Sequence, residues 1–249
     1  MANKPSIQEL IDTALERKGD RVRSGKYSPS SLGKCYRAQY WNRKDEPVSN
    51  PAEDRVLRVF KAGNLFHEFV QDVIIANNPE AQKEVLIETE EFKGYADLVL
   101  ENEVVDLKSQ HSKAFWYRSK LAWNELEPKL LPNILQVVFY ASNLGKDRAR
   151  LVFISKDDLC IQEYPLIVGN YSLKLGEELA TLRDFWHYGA LPPAMPRGYL
   201  DKEGKSAECK YCGWRALWEN IEKNVDKSRY RVILKACTGN RFYFAKMGF

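Results

Sequence analysis

No stretch of this chain is apolar for long enough to cross a bilayer, and its first residues lack the apolar core of a signal peptide. The expectation is therefore a soluble, cytoplasmic protein with no membrane partner. Cysteine is scarce and odd in number, five in all, and two of the five form the pair Cys209-Lys210-Tyr211-Cys212. That usage fits a reducing compartment better than a disulfide scaffold. There is no internal repeat and no low-complexity segment, so solenoid and linker readings fall away. What is present, 249 residues of which 44% are hydrophobic, suffices for one domain with an ordinary core and a small appended lobe.

The most informative residues are an acid followed by an acid and a lysine. Gly94-Tyr95-Ala96-Asp97-Leu98-Val99-Leu100 reads as a strand, Glu101-Asn102-Glu103 as a short turn, and Val104-Val105-Asp106-Leu107-Lys108 as the returning strand. Side chains alternate faces along a strand, so Asp106 and Lys108 point the same way. Two carboxylates and an ammonium then converge on one small volume. A hard divalent cation beside a scissile phosphate needs such a set. Alternation of charged and apolar residues also describes the solvated face of an ordinary antiparallel strand, and further residues must decide between the two.

Upstream, Val56, Val59, Phe60, Gly63, Phe66, Val70, Val73 and Ile74 recur at three- and four-residue steps, which predicts a helix over 54–75 with one buried stripe. His67 falls on that stripe, either as a metal ligand or as a satisfied core histidine. Gly63 costs helix stability by roughly 1 kcal/mol against alanine, so its place one turn earlier predicts a close backbone approach. His67-Glu68 does not continue into H-E-x-x-H, because position 71 is Gln. Downstream, Pro132 is read as opening a helix that carries Gln136 and Tyr140 on one face. Their polar tips would bind phosphate or substrate water, or each other within a core.

Gly63 with His67, Gly94 with Asp97, Asp106 with Lys108, and Gln136 with Tyr140 follow one another in the order G-x-x-x-H, G-x-x-D, D-x-K, Q-x-x-x-Y. Each motif is short, but the four in order resemble RecB-like nucleases of the PD-(D/E)XK superfamily. The likeness is nearest to the CRISPR-associated RecB-like exonucleases and their phage and archaeal relatives, and it spans about residues 28–218. The resemblance implies an α/β fold, a mixed central sheet flanked by helices. It implies Mg²⁺ or Mn²⁺ held by His67, Asp97, Asp106 and the Leu107 carbonyl. Lys108 would orient or deprotonate the attacking water, and Gln136 and Tyr140 would serve the substrate. The family often has glutamate where Asp106 stands, and the superfamily pattern admits either.

Iron–sulfur members of this family place one cysteine early and three late. Here Cys35 precedes Arg37 and Tyr40-Trp41, and Cys209 and Cys212 lie late, but the usual last position is Trp218. A [4Fe-4S] cluster would therefore need Cys237, while Cys160 sits in a strand-like run, 159–164. Zinc on the same thiolates, or packed thiols without metal, are the alternatives. On this view residues 1–249 form a single nuclease domain with its core at about 50–190. Segments 22–44 and 197–228 build a cysteine lobe, and 229–249 adds a hairpin around Thr238-Gly239-Asn240. The aromatics and basic residues of that hairpin would stack bases and track phosphates, or cover a sheet edge or a partner.

Charge is segregated. Residues 1–44 carry ten Lys and Arg against four Asp and Glu, residues 197–249 twelve against six, and the middle is net −8 within a total of +4. A basic collar around an acidic metal site suits a phosphate backbone, although basic residues also serve simply to solubilise a small lobe. The sequence thus predicts a metal-dependent DNA nuclease, an exonuclease acting on ends or single strands in recombination, repair, phage replication or CRISPR adaptation, where a protein partner would join it. The alternative is a non-catalytic nucleic-acid-binding module of the same fold with structural metal. A sequence-specific restriction endonuclease would need a recognition lobe, for which no large segment is left over.

Overall fold

The computed structural model describes residues 4–16, 23–192 and 212–217. Its centre is a five-stranded mixed sheet in the order β1 (Gln82–Glu88), β2 (Lys93–Val99), β3 (Glu103–Gln110), β4 (Arg148–Ser155), β5 (Ile161–Ile167). β1 to β3 form an antiparallel meander, β3 and β4 pair in parallel, and β4 and β5 are again antiparallel. The parallel pair requires a crossover. It is supplied by α4 (Ser112–Arg118) and α5 (Trp123–Asn143). Helices lie on both faces, so the fold is α/β as expected.

One face of the sheet carries the larger core. Val104, Leu151 and Phe153 meet Ile134, Leu135 and Val138 of α5, with Leu175 and Leu182 of α6 (Ser172–His187) behind. On the other face Leu98, Val105, Leu107, Val152 and Ile154 are covered by Phe66, Val70 and Ile74 of α3 (Asp54–Asn77). α3 buries less than its apolar periodicity predicts. Val59, Phe60 and Val73 stay half exposed, while Phe66, Val70 and Ile74 carry the contact with the sheet. α1 (Ile7–Leu15) packs on α3 and pairs Asp12 with Arg58.

Two further expectations are corrected. Pro132 does not open a helix, since α5 begins at Trp123 and runs through both Pro128 and Pro132. Leu126, Leu130, Ile134 and Leu135 are fully buried along that helix, and this packing outweighs the bonds the prolines cannot donate. Gly33, at φ +72°, closes over the spot: a Cβ there would lie 3.1 Å from Pro132 Cα. Gly63 makes no close approach either, because a Cβ there would meet only Ser109 Oγ at 3.7 Å and Lys156 Nζ at 4.0 Å.

The segment before α2 (Tyr36–Lys44) straps the two ends of the core together. Tyr27 bridges to Phe92 at the start of β2 and donates its hydroxyl to Leu182 O (3.0 Å). Buried Glu178 of α6 accepts from Gly33 N and Tyr36 Oη, both at 2.8 Å. Residues 212–217 return to α2, where Trp214 packs on Trp41 and Cys212 joins the same apolar cluster.

Candidate active site

Alternation is what puts Asp106 and Lys108 together. Val104 faces α5 while Val105 and Leu107 face α3, so Asp106 and Lys108 share the α5 face two residues apart. Lys108 Nζ lies 2.7 Å from Asp106 Oδ1. Asp106 is 1% exposed, and its second oxygen, Oδ2, is buried with no hydrogen-bond partner among the described residues. Burial, opposed chiefly by the Lys108 charge, pushes the Asp106 carboxyl up to about 6. Burial works against the Lys108 ammonium too, but the Asp106 and Asp97 carboxylates outweigh it and hold the lysine above its ordinary range.

Asp97 arrives by a break in the pleat. Ala96 packs in the α5-side core and Leu98 in the α3-side core, although residues two apart on a regular strand share a face. The paired register carries Lys83 opposite Leu98 and Val85 opposite Ala96, skipping Glu84 and Asp97. Glu84 has φ +51°, a left-handed conformation costing roughly 1–3 kcal/mol for a residue with a Cβ. The register is the same on both sides of the break, so neither strand carries an extra residue; the turned Glu84 backbone re-aims the Asp97 side chain. The freed Asp97 carboxylate accepts the Leu107 N–H through Oδ2 at 2.7 Å, taking the place of a ladder bond between β2 and β3. Burial raises the Asp97 carboxyl, against the pull of Lys108 and the Leu107 N–H.

His67 and Gln71 reach the same place from α3, one turn apart. His67 Nδ1 is 3.8 Å from Asp97 Oδ2, and burial together with the Lys108 charge lowers its pKa, which favours the neutral ring with a free lone pair. Buried Gln71 donates Nε2 both to Glu84 Oε1 (2.7 Å) and to Asp97 O (2.9 Å). Sequence reasoning missed Gln71 and Glu84. The sequence carries a signal for Gln71, a polar side chain one turn beyond His67 on the same helix face, and none for Glu84 in β1.

Tyr140 and Gln136 stand on the α5 side. The Tyr140 hydroxyl accepts from Tyr95 N–H and bonds Gln136, and burial, reinforced by the Asp106 and Asp97 charges, raises its pKa. It also explains Gly94, where a Cβ would lie 2.5 Å from Tyr140 Oη and 2.8 Å from Pro29 Cδ. Tyr140 thus holds β2 in place beside the acids.

These donors fit a hard cation. Asp106 Oδ2 is an orphaned anionic oxygen, Asp97 is a second carboxylate, and His67 is neutral. Among the described residues no three His, Cys, Asp or Glu side chains close into a cage. A small divalent ion that keeps several waters and uses one or two carboxylates needs none. Of the four thiols expected to form a second centre, Cys35 precedes α2 and Cys212 packs near it, whereas Cys209 and Cys237 lie outside the described residues, as do Trp218 and the segment 229–249.

No protein-family model matches the chain, and no curated protein matches it. Solved structures do. The chain is similar to that of the crystal structure of SSO0001 at 19% identity and a TM-score of 0.52, covering 86% of this chain and 96% of that one. It is also similar to an alkaline exonuclease from Laribacter hongkongensis, LHK-Exo, at 14% identity and a TM-score of 0.42, covering 67% of this chain and 92% of that one. LHK-Exo in complex with dAMP matches at 15% identity with the same coverage and TM-score. The first of these likenesses supports the fold.

Proposed function

We propose that the chain is a divalent-metal-dependent deoxyribonuclease that hydrolyses phosphodiester bonds, acting as an exonuclease on DNA ends or single strands. The observation that carries this reading is the Asp106 carboxylate, one oxygen on Lys108 and the other buried without a partner, next to a second carboxylate. A solvated strand face would leave both oxygens to water, and a structural ion pair would satisfy them. The oxygen without a partner is the one that would take a cation.

Asp106, Asp97, the Leu107 carbonyl and His67 would hold Mg²⁺ or Mn²⁺, which when bound lowers the pKa of a water and offsets charge on the phosphate. The rest falls to the chain's own groups. Lys108 stays an ammonium between the two carboxylates, so it acts as a donor and a charge: it orients the attacking water and steadies the phosphate oxygens. Asp97, pinned through both its carboxylate and its main-chain oxygen, keeps the site in register. Gln136 offers an amide donor for a phosphate oxygen or water beside Tyr140. The water oxygen bonds to phosphorus and gives up one proton to solvent. The bond to the leaving oxygen breaks, and that oxygen takes up one proton from solvent, so the protons balance.

The test is end-labelled single- and double-stranded DNA incubated with the purified chain in Mg²⁺, Mn²⁺ or chelator. Lys108→Ala should abolish cleavage and spare DNA binding. Cleavage that persists in that variant or in excess chelator rejects the assignment, and binding without cleavage by the unaltered chain makes it a binding module. The work of such an enzyme lies in recombination, repair, phage replication or CRISPR adaptation. For the cysteines we propose one centre on Cys35, Cys209, Cys212 and Cys237. A brown protein after anaerobic purification identifies a [4Fe-4S] cluster, and colourless protein with stoichiometric zinc replaces it by a zinc site.

A further inference from the structure

α4 follows the catalytic strand directly and turns an unusual face to solvent. Phe115 is buried against the core, and Arg118 lies over the Phe153 ring at 4.0 Å and bonds Gln110 Oε1 at the end of β3. The opposite stripe is Lys113, Trp116, Tyr117 and, in the turn that continues the helix, Lys120, all exposed. These positions are three and four residues apart and lie side by side. Trp116 is 45% exposed and Tyr117 62%, and two large aromatics side by side in solvent are not needed to fold a helix anchored by Phe115.

The neighbours of this stripe differ from those of Trp123, the next exposed tryptophan along the chain. Trp123, 38% exposed, has one ring face stacked on Tyr164 with centroids 5.7 Å apart. Trp116 meets Phe115 edge-on at 5.3 Å and donates its indole N–H to Asp158 Oδ2 at 2.8 Å, which holds the ring in place. Among the described residues no ring stacks on Tyr117. Two acids adjoin α4, Asp157 and Asp158, and both are turned to it: Asp157 accepts from Ser112 N at 2.7 Å and Asp158 from Trp116. Among the described residues no carboxylate pairs with Lys113 or Lys120 at the two ends of the stripe.

We infer that Lys113, Trp116, Tyr117 and Lys120 form a stacking platform for an unpaired nucleic-acid strand leaving the Asp106–Lys108 site. The inference rests on the nuclease reading for the origin of the strand and adds the substrate class. Aromatic faces with flanking cations match a polymer that alternates bases and phosphates. In a duplex the bases are stacked on one another and offer no free face, so the platform selects single strands. Continuity with the site comes from the chain itself. Gln110 shares the face of Asp106 and Lys108 by alternation, and the Arg118 bond to Gln110 fixes α4 at the end of that row.

The experiment is fluorescence anisotropy with labelled oligodeoxythymidylate and, in parallel, a blunt duplex of equal length, in chelator so that nothing is cut. Trp116→Ala and Tyr117→Ala should each weaken oligodeoxythymidylate binding about five- to a hundredfold, the range of one lost base stack, with duplex affinity unchanged. Trp116→Phe keeps an aromatic face, though a smaller one, and loses the Asp158 bond, so it should retain more of the affinity than Trp116→Ala. Tyr117→Ala at an exposed position with an unchanged melting temperature separates a binding defect from misfolding. Unaltered single-strand affinity in both alanine variants overturns the inference, as does an equal loss on duplex. So does a variant that only converts a dimer to a monomer in sedimentation, since the patch then binds a second copy. If the unaltered chain cuts no DNA yet the alanine variants lose single-strand binding, the nuclease reading fails and the platform stands.

Discussion

The side-chain amide of Gln71 donates to the main-chain oxygen of Asp97 at 2.9 Å and to the carboxylate of Glu84 at 2.7 Å. One helix residue thus pins the break in the pleat that aims the candidate catalytic acid, and it sits one turn from His67. Gln71→Ala should cost about 1–3 kcal/mol, the penalty for leaving buried polar groups unpaired. It should also lower cleavage by more than that loss of folded protein accounts for. Urea denaturation and single-turnover cleavage measured on the same preparation check both. Full activity in a destabilised variant would confine Gln71 to the fold.

The two glycines of the motifs are predicted to behave oppositely. Gly94→Ala drives a methyl into Tyr140 Oη and Pro29, and should destabilise by about 1–3 kcal/mol. Adding Tyr140→Phe should recover part of that loss, because the nearest clashing atom is gone. Gly63→Ala meets nothing closer than 3.7 Å and should be neutral or stabilising by up to about 1 kcal/mol. Thermal melts of the three variants decide the matter.

Asp106→Asn should separate stability from activity. The unaltered metal-free protein buries a carboxylate with one unpartnered oxygen. An amide of the same shape still accepts from Lys108 and relieves the crowding of two carboxylates, while Asp97 remains as the lysine's counter-charge. In chelator the variant should melt at or above the unaltered protein, by up to a few degrees, and cleavage should be lost. A melting temperature far below it would mean that the Asp106–Lys108 pair holds the fold together.

Alkaline stability should depend on Tyr27. Burial pushes its phenol up to about 12, against the nearby Arg43 charge, while an unfolded tyrosine titrates near 10. The folded state therefore holds the proton more tightly. This contribution is fully present below pH 10 and is lost as pH rises from about 10 through 12. Denaturation midpoints should fall across that window, and Tyr27→Phe should flatten the fall. An unchanged slope in the variant would place the alkaline transition elsewhere.

Much of the site was legible because it obeys simple periods. Asp106 and Lys108 share a face by strand alternation, and His67 follows from helical spacing. The expected mixed sheet was found, with β2 and β3 where the alternation put them. What escaped depends on tertiary context. No local rule places a glutamate at φ +51° opposite Asp97, and Gln71 matters only through two strands that lie elsewhere in the chain. α5 ran through Pro128 and Pro132 because its apolar face is buried on the sheet, while proline chemistry alone suggested a start at Pro132. α3 kept Val59 and Phe60 in solvent because a helix can carry more apolar surface than its neighbour covers.

The meander from β1 to β3 has a consequence for the order of assembly. Glu84, Asp97, Asp106 and Lys108 all belong to it and are joined by short turns, whereas the β3–β4 pairing waits on the whole α4–α5 crossover. Contacts between residues close in sequence close small loops, and loop closure is the entropic toll that slows folding. We expect pulsed hydrogen exchange during refolding to protect β2 and β3 amides ahead of those of β4, and simultaneous protection would contradict it. The acids then gather while still in water, where their charges are well solvated, and the helix that buries them docks afterwards. Desolvating Asp106 becomes a late step of folding, so cations present during refolding should speed the final phase more than the first.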